Sequence, residues 1–268
     1  MTLVDGNKIA KALEEKLVTE LLFATPKKVC FVVFGGNAAT EQFVKMKSQV
    51  AERVGIAVDI KKYPKVTATD EAVELVKALG EKDYDGIVVQ LPLTAGIDTQ
   101  SVLDAIPPHL DVDMLGAVAK ESYASGKINR TPPVAQAVYE VLEAHDVKWK
   151  GKKIVVAGRG RLVGEPVHNM LKRLKAPHDI IDRKTDEKEK LALLKNADII
   201  ISGIGVPHGI RPDMIKKGVV LIDAGTSEQA GKLAGDIDPA CEKVASLMTP
   251  VPGGVGPITI VSLLRNLM

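Results

Sequence analysis

The sequence predicts an α/β fold of two lobes, each built on a parallel sheet covered by helices on both faces. Three observations lead there. Short apolar, β-branched runs alternate with amphipathic segments along the chain, the pattern of strand–helix–strand units. The alternation breaks once, from Ala117 to Thr131, where Gly, Ser, Lys and Asn mix without strong periodicity. The length of 268 residues suits one large or two modest domains.

In the first lobe, Lys28 to Phe34 reads as a buried strand. Thr40 to Val54 has helical spacing and stops at Gly55, a good residue for a helix end. Ile56 to Tyr63 is a second strand and Asp70 to Leu79 a second helix, with Gly80 beyond its end. Gly86 to Gln90 is a third strand. Ser101 to Ile106 is a short helix before Pro107-Pro108. After the break, Pro132-Pro133 leads into a helix from Val134 to Ala144, with proline at its first turn. The second lobe opens with a strand, Lys153 to Ala157, then a glycine-rich turn, Gly158 to Gly164, then a helix from about Pro166 to Lys175. Ile180-Ile181, Ile199 to Ser202 and Val219 to Ile222 are short strands with helical segments between them. Ile258 to Met268 is a closing apolar helix.

Composition narrows the function. Apolar residues make up 46% of the chain and charged residues 26%, enough for a core and ordinary for a water-facing surface. The net charge of +2 gives no electrostatic reason to expect nucleic acid or an anionic membrane. Two cysteines, Cys30 and Cys241, make neither a disulfide framework nor a metal site, and no metal-ligand motif occurs. No leader-like N-terminus and no apolar stretch of membrane-spanning length is seen. The expectation is a cytoplasmic protein without nucleic-acid, membrane or metal partners.

Four segments carry chemistry. The strand ending at Ala157 runs into Gly158, Gly160 and Gly164, spaced GxGxxxG before a helix. That geometry allows a tight turn, close backbone approach to a pyrophosphate and free N–H groups at a helix start. The next strand ends at Asp182-Arg183-Lys184. Asp182 suits the ribose hydroxyl of NAD, whereas Arg159, Arg183 and Lys184 suit the extra phosphate of NADP, so NADP is favoured and NAD remains possible. In the first lobe, Phe43 and Lys47 share one helix face, and Gln90 stands at the carboxyl edge of a strand, where ligands of open α/β sheets bind. In Leu110-Asp-Val-Asp-Met114, alternation places Asp111 and Asp113 on one side of an extended segment, each able to bind a ligand or merely a turn. Finally, Thr249-Pro-Val-Pro-Gly-Gly-Val-Gly-Pro-Ile-Thr259 holds three prolines and three glycines in eleven residues, which excludes a helix or an ordinary strand.

Taken in order, Gln90-Leu-Pro-Leu93, the Asp-Val-Asp run, the glycine turn with Val163-Gly-Glu-Pro166, Gly235-Asp-Ile-Asp238 and Pro250-Val-Pro-Gly-Gly-Val-Gly-Pro257 resemble the methylenetetrahydrofolate dehydrogenase/methenyltetrahydrofolate cyclohydrolase family. The resemblance runs from Asp5-Gly6 to the last helix. It implies a folate-binding catalytic domain over 1–128 plus 256–268, a Rossmann-type NAD(P)-binding domain over 129–255, and a cleft between them. It implies oxidation of 5,10-methylenetetrahydrofolate with NAD(P)⁺, hydrolysis of the methenyl product to 10-formyltetrahydrofolate, and a homodimer. On this resemblance Lys47, Gln90 and Asp113 are catalytic. Thr40, Phe43, Leu91, Pro252, Gly253 and Gly254 border the folate. Thr131, Gly158, Arg159, Gly160, Leu162, Val163, Gly164, Arg183, Lys184, Gly205 and Thr259 bind the cofactor.

The chain departs from the family pattern at Phe43, where a tyrosine is usual, and at Leu110 and Met114, where lysine and glycine flank the acids. Gly160 stands where serine is common. These departures bear most on the hydrolytic step, and Met114 is expected to add bulk beside Asp113. Three alternatives follow: a dehydrogenase with little or no cyclohydrolase activity, a two-lobe dehydrogenase acting on a shikimate-like or amino-acid substrate, and a folate- or nucleotide-binding protein that has lost catalysis.

Overall fold

The structure is a computed structural model that describes residues 1–36, 38–229 and 232–268. In chain order its elements are β1 (Thr2–Leu3), α1 (Gly6–Leu21), β2 (Lys28–Phe34), α2 (Ala38–Arg53), β3 (Ala57–Tyr63), α3 (Thr69–Gly80), β4 (Gly86–Val89), α4 (Thr99–Asp104), α5 (Ala117–Ala124), α6 (Pro133–Ala144), β5 (Ile154–Ala157), α7 (Gly164–Arg173), β6 (His178–Ile181), α8 (Glu187–Asn196), β7 (Ile199–Ser202), β8 (Val220–Asp223), β9 (Ser227–Gln229), β10 (Lys232–Ala234), β11 (Leu247–Met248) and α9 (Val255–Arg265).

The chain divides into two compact units, Ala12–Pro132 with Ile260–Met268, and Met1–Lys11 with Pro133–Thr259. The first holds a parallel three-stranded sheet of order β3-β2-β4. β2 and β4 are buried nearly throughout, as their unbroken apolar sequences require, whereas the edge strand β3 alternates with exposed positions. A core of Val32, Phe34, Val76, Ile87 and Leu103 fills the space between this sheet and α3 and α4. Strand order reverses at β2, with β3 on one side and β4 on the other, so the carboxyl ends of β2 and β4 flank a switch point, where open α/β sheets bind ligands.

The second unit holds a parallel six-stranded sheet of order β1-β11-β8-β7-β5-β6. β5 is its switch point, with β6 and β7 on opposite sides. A separate antiparallel pair, β9 and β10, lies outside the sheet.

Four features differ from the sequence expectation. The segment after Leu115 is not irregular: α5 forms there, eight residues long and started by Gly116, with too few apolar positions to show a clear period. Helix α1 was absent from the expected elements. Thr2–Leu3 forms the edge of the six-stranded sheet by pairing with Leu247–Met248, although the sequence reading assigns the N-terminus to the other lobe. The Pro-Gly run is not excluded from helix along its length. Its last five residues, Val255 to Thr259, begin α9, because Pro257 falls in the first turn, where a backbone N–H has no helical partner to lose.

Candidate active site

Helix α2 begins beyond the carboxyl end of β2 and carries Thr40, Phe43 and Lys47 at positions 40, 43 and 47, one helical face. Thr40 is buried, and Phe43 and Lys47 are half-buried. Gln90 follows β4 and is fixed from two directions. Its backbone N–H donates to the Val32 carbonyl at 2.8 Å, and its side-chain Nε2 donates to the Leu91 carbonyl at 2.8 Å. The amide is thereby oriented with Oε1 outward, and Lys47 Nζ donates to it at 3.0 Å. Burial pushes the Lys47 amine below the ordinary lysine range, with the nearby Asp113 carboxylate acting in the opposite direction. Burial likewise raises Asp113 above the usual carboxylate range, and Lys47 opposes that shift. Burial thus disfavours the charged form of each group, and the charge of each favours the charged form of the other.

The two acids of the Asp-Val-Asp run do different work. The segment bends at Val112–Asp113 instead of running extended, so the expected sharing of one side does not arise. Asp111 turns inward and accepts the N–H groups of Met114 at 2.8 Å and Gly116 at 2.8 Å, which makes it the acid that ties the turn. Burial raises it to about 6. Asp113 has no hydrogen-bond partner among the described residues, and only the charge of Lys47 acts on it. Asn266, near the C-terminus, clamps the run by donating Nδ2 to the carbonyls of Val112 at 2.8 Å and Thr131 at 3.0 Å. Met114 adopts φ 59°, the left-handed region that favours glycine. Its side chain is 1% exposed, and Leu110 is 4% exposed. Both departures from the family pattern therefore fill the core, which corrects the expectation that Met114 crowds the site.

In the second unit the glycine turn joins β5 to α7. A Cβ on Gly158 would lie 2.4 Å from the Gly203 carbonyl oxygen, and one on Gly164 would lie 2.1 Å from the Gly158 carbonyl oxygen. These two positions admit no side chain. Gly160 is the opposite case: a Cβ there meets nothing within 4 Å, the open space that a dinucleotide approaching the turn requires. Arg159 and Leu162 are exposed and Val163 is half-buried, its side chain against Gly203. Arg159 Nε lies 3.6 Å from Asp182. Asp182 is further engaged by the Lys184 N–H at 2.8 Å, while Arg183 and Lys184 keep exposed side chains. Asp182 is occupied, in part by Arg159, while the side chains of Arg183 and Lys184 stay exposed.

Gly205 has φ +69° with open space where a side chain would stand. The Pro-Gly run is packed from behind: the Gly6 N–H donates to the Gly253 carbonyl at 2.9 Å, and a Cβ on Gly6 would collide with the Gly254 carbonyl. Pro252 is exposed and Gly253 half-buried. Thr259 spends its hydroxyl within α9, on the Val255 carbonyl at 3.0 Å.

Sequence reasoning missed Asn266, which carries no local signal, and the buried carboxylates Asp223 and Asp236. The second of these lies in the Gly235-Asp-Ile-Asp238 run, which was noticed only as a motif. Among the described residues no group of three His, Cys, Asp or Glu side chains could hold a metal ion, and no helix is long and apolar enough to cross a membrane.

Comparison with known proteins agrees with this geometry. The family model for the tetrahydrofolate dehydrogenase/cyclohydrolase catalytic domain matches residues 4–113, and that for the NAD(P)-binding domain matches residues 132–268. The bifunctional protein FolD of Lacticaseibacillus casei is 37% identical over 273 residues, covering 99% of this chain and 95% of that protein. The crystal structure of the Campylobacter jejuni bifunctional enzyme FolD superposes with a TM-score of 0.92 at 31% identity, covering 100% of this chain and 97% of that one. The Trypanosoma brucei dehydrogenase-cyclohydrolase, solved with NADP cofactor and an inhibitor, gives a TM-score of 0.92 at 31% identity, covering 99% and 95%. With both family domains matched along the chain and a relative 37% identical over nearly its whole length, the chain belongs to the tetrahydrofolate dehydrogenase/cyclohydrolase family.

Proposed function

We propose that this chain oxidises 5,10-methylenetetrahydrofolate with NADP⁺ and hydrolyses the methenyl product to 10-formyltetrahydrofolate, with Lys47, Gln90 and Asp113 as the residues that act on the folate. The observation that carries the reading is the 3.0 Å bond from Lys47 Nζ to Gln90 Oε1, with Asp113 unpartnered beside it. The Asp113 carboxylate suits the N–H donors of a pterin ring. NADP⁺, when bound, supplies the acceptor for the hydride that leaves the methylene carbon. The chain's part in that step is alignment, which the immovable turn at Gly158 and Gly164 and the packed Pro252–Gly254 segment support.

Hydrolysis asks more of the side chains. Water must lose a proton as it attacks the methenyl carbon, and a lysine lowered by burial can hold that proton. Gln90 orients the amine through a neutral oxygen, so it does not restore the lysine's basicity as a carboxylate would. Phe43 and Leu91 form the apolar border of the folate in this reading, with Thr40 beside them and Phe43 stacking on the ring without a hydroxyl. Arg159, Arg183 and Lys184 favour NADP over NAD, and Gly160, Leu162, Val163, Gly205, Thr131 and Thr259 complete the cofactor's surroundings. The reading also includes a homodimer, and a cytoplasmic location supported by two free, buried cysteines, Cys30 and Cys241.

The test is turnover by the purified protein. With methylenetetrahydrofolate it should form methenyl product and NADPH faster from NADP⁺ than from NAD⁺. Lys47→Ala should retain NADP⁺ binding in calorimetry while hydrolysis falls. Absence of reduced cofactor with either dinucleotide refutes the reading, and an unchanged hydrolysis rate in Lys47→Ala removes that residue from the mechanism.

A further inference from the structure

The loop Gly203-Ile-Gly-Val206, which follows β7, abuts the glycine turn. The Gly203 N–H donates to the Ala157 carbonyl at 2.8 Å, and Gly203 leaves no room for a side chain against Val163. What gives this loop its shape is one buried side chain from distant sequence. Asp236, 0% exposed, accepts the Ile204 N–H at 2.7 Å and the Ser202 hydroxyl at 2.9 Å on Oδ2, and the Val206 N–H at 3.1 Å on Oδ1. It therefore takes the two amides on either side of Gly205. The N–H of Gly205 itself has no partner among the described residues, and the space beside its Cα is open.

The carboxylate cannot drift. Its own backbone N–H donates to Asp223 Oδ1 at 3.2 Å, and its carbonyl accepts the Ile210 N–H at 3.0 Å. A Cβ on Gly225 would lie 2.3 Å from Asp236 Cγ, so the chain passes against the carboxylate where only glycine fits. A buried carboxylate held by three donors and by its neighbours is a rigid template for the loop it binds.

We propose that Asp236 is a positioning residue for the dinucleotide: by binding the N–H groups of Ile204 and Val206 it leaves the Gly205 N–H as the loop's free donor to an acceptor oxygen of the cofactor. The proposal rests on the cofactor reading above. It acts through the backbone and predicts an effect on cofactor affinity separate from chemistry.

The experiment compares Asp236→Asn with Asp223→Asn. Asp223 is equally buried and binds the N–H groups of Gly225, Asp236 and Ile237, none of them in the 203–206 loop. Asp236→Asn replaces one acceptor oxygen by an amide of the same shape, so a charge-assisted bond is lost and the Kd and KM for NADP⁺ should rise about tenfold. The kcat at saturating cofactor and the KM for folate should stay within about threefold. Asp223→Asn, which touches the loop only indirectly through the Asp236 N–H, should lower stability and raise the NADP⁺ Kd clearly less than Asp236→Asn does. If Asp236→Asn does not fold, Ser202→Ala, which removes one of the three donors, should weaken NADP⁺ by about threefold. An unchanged Kd in a folded Asp236→Asn, or in Ser202→Ala where Asp236→Asn does not fold, overturns the proposal, as does an equal loss in both aspartate variants. Failure of the wild-type protein to bind any dinucleotide overturns the cofactor reading instead, so the two failures are distinguishable.

Discussion

Gln90→Glu puts a carboxylate where the neutral acceptor of Lys47 now stands, in a position 8% exposed. At the observed 3.0 Å, two unit charges with an effective dielectric near 20 attract by about 5 kcal/mol. Solvent reaches the half-buried lysine, and the new carboxylate must itself be desolvated, so about half of that is the realistic gain. The sign is clear. Burial now favours the neutral amine, whereas a neighbouring anion favours the ammonium, so Lys47 stays protonated to higher pH in the variant. A stabilisation of 2–3 kcal/mol lowers the neutral fraction at neutral pH by roughly 100-fold. Hydrolysis should fall by a similar factor and regain rate only as pH rises, while hydride transfer, which moves no proton through Lys47, should lose about fivefold or less. The assay follows methenyl decay and NADPH formation separately across pH 6 to 10. Gln90→Leu is the control, since it removes the acceptor without adding charge. If Gln90→Glu hydrolyses the methenyl substrate with the wild-type pH profile, Lys47 is not the group that takes the proton.

Three further outcomes follow from the geometry. Gly160→Ser should fold without penalty and bind NADP⁺ as tightly as the wild type or a few-fold more tightly, because the site is open, whereas Gly164→Ala should lose NADP⁺ binding in calorimetry, because its Cβ meets a carbonyl at 2.1 Å. Met114→Gly relieves about 1 kcal/mol of left-handed strain but empties a fully buried site at a cost of about 2–4 kcal/mol, so denaturant melts should show a net loss near 2 kcal/mol, and a more stable glycine variant would show that backbone strain dominates. Asp223 is held at about 6 by burial, against about 3.9 unfolded, so the native state holds the extra proton between those values and gains stability as pH falls through 6. From pH 7 to pH 5 the wild type should gain about 1 kcal/mol relative to Asp223→Asn in urea melts, and equal pH dependence in the two proteins would place the titration elsewhere.

What sequence alone determined here is what depends on near neighbours or on excluded volume. β2, β4, β5 and β7 were legible because strands of a parallel sheet are buried on both faces and so are written as unbroken apolar runs. Gly158 and Gly164 were legible because no side chain fits beside a carbonyl at van der Waals distance. Lys47 and Phe43 could be placed on one face from helical spacing alone, and Gln90 at a strand end. Tertiary structure decided the rest. Asp111 and Asp113 are the same residue type two positions apart, and only the bend at Val112 separates the acid that ties a turn from the acid with no hydrogen-bond partner among the described residues. Thr2–Leu3 gives no local sign that it edges a sheet whose partner strand begins at Leu247. Asp236 shapes the loop around Gly205 through bonds spanning 30 to 34 residues, and Asn266 clamps Val112 across 154. Such contacts form only when distant segments are brought to one register, and no periodicity in the chain encodes that register.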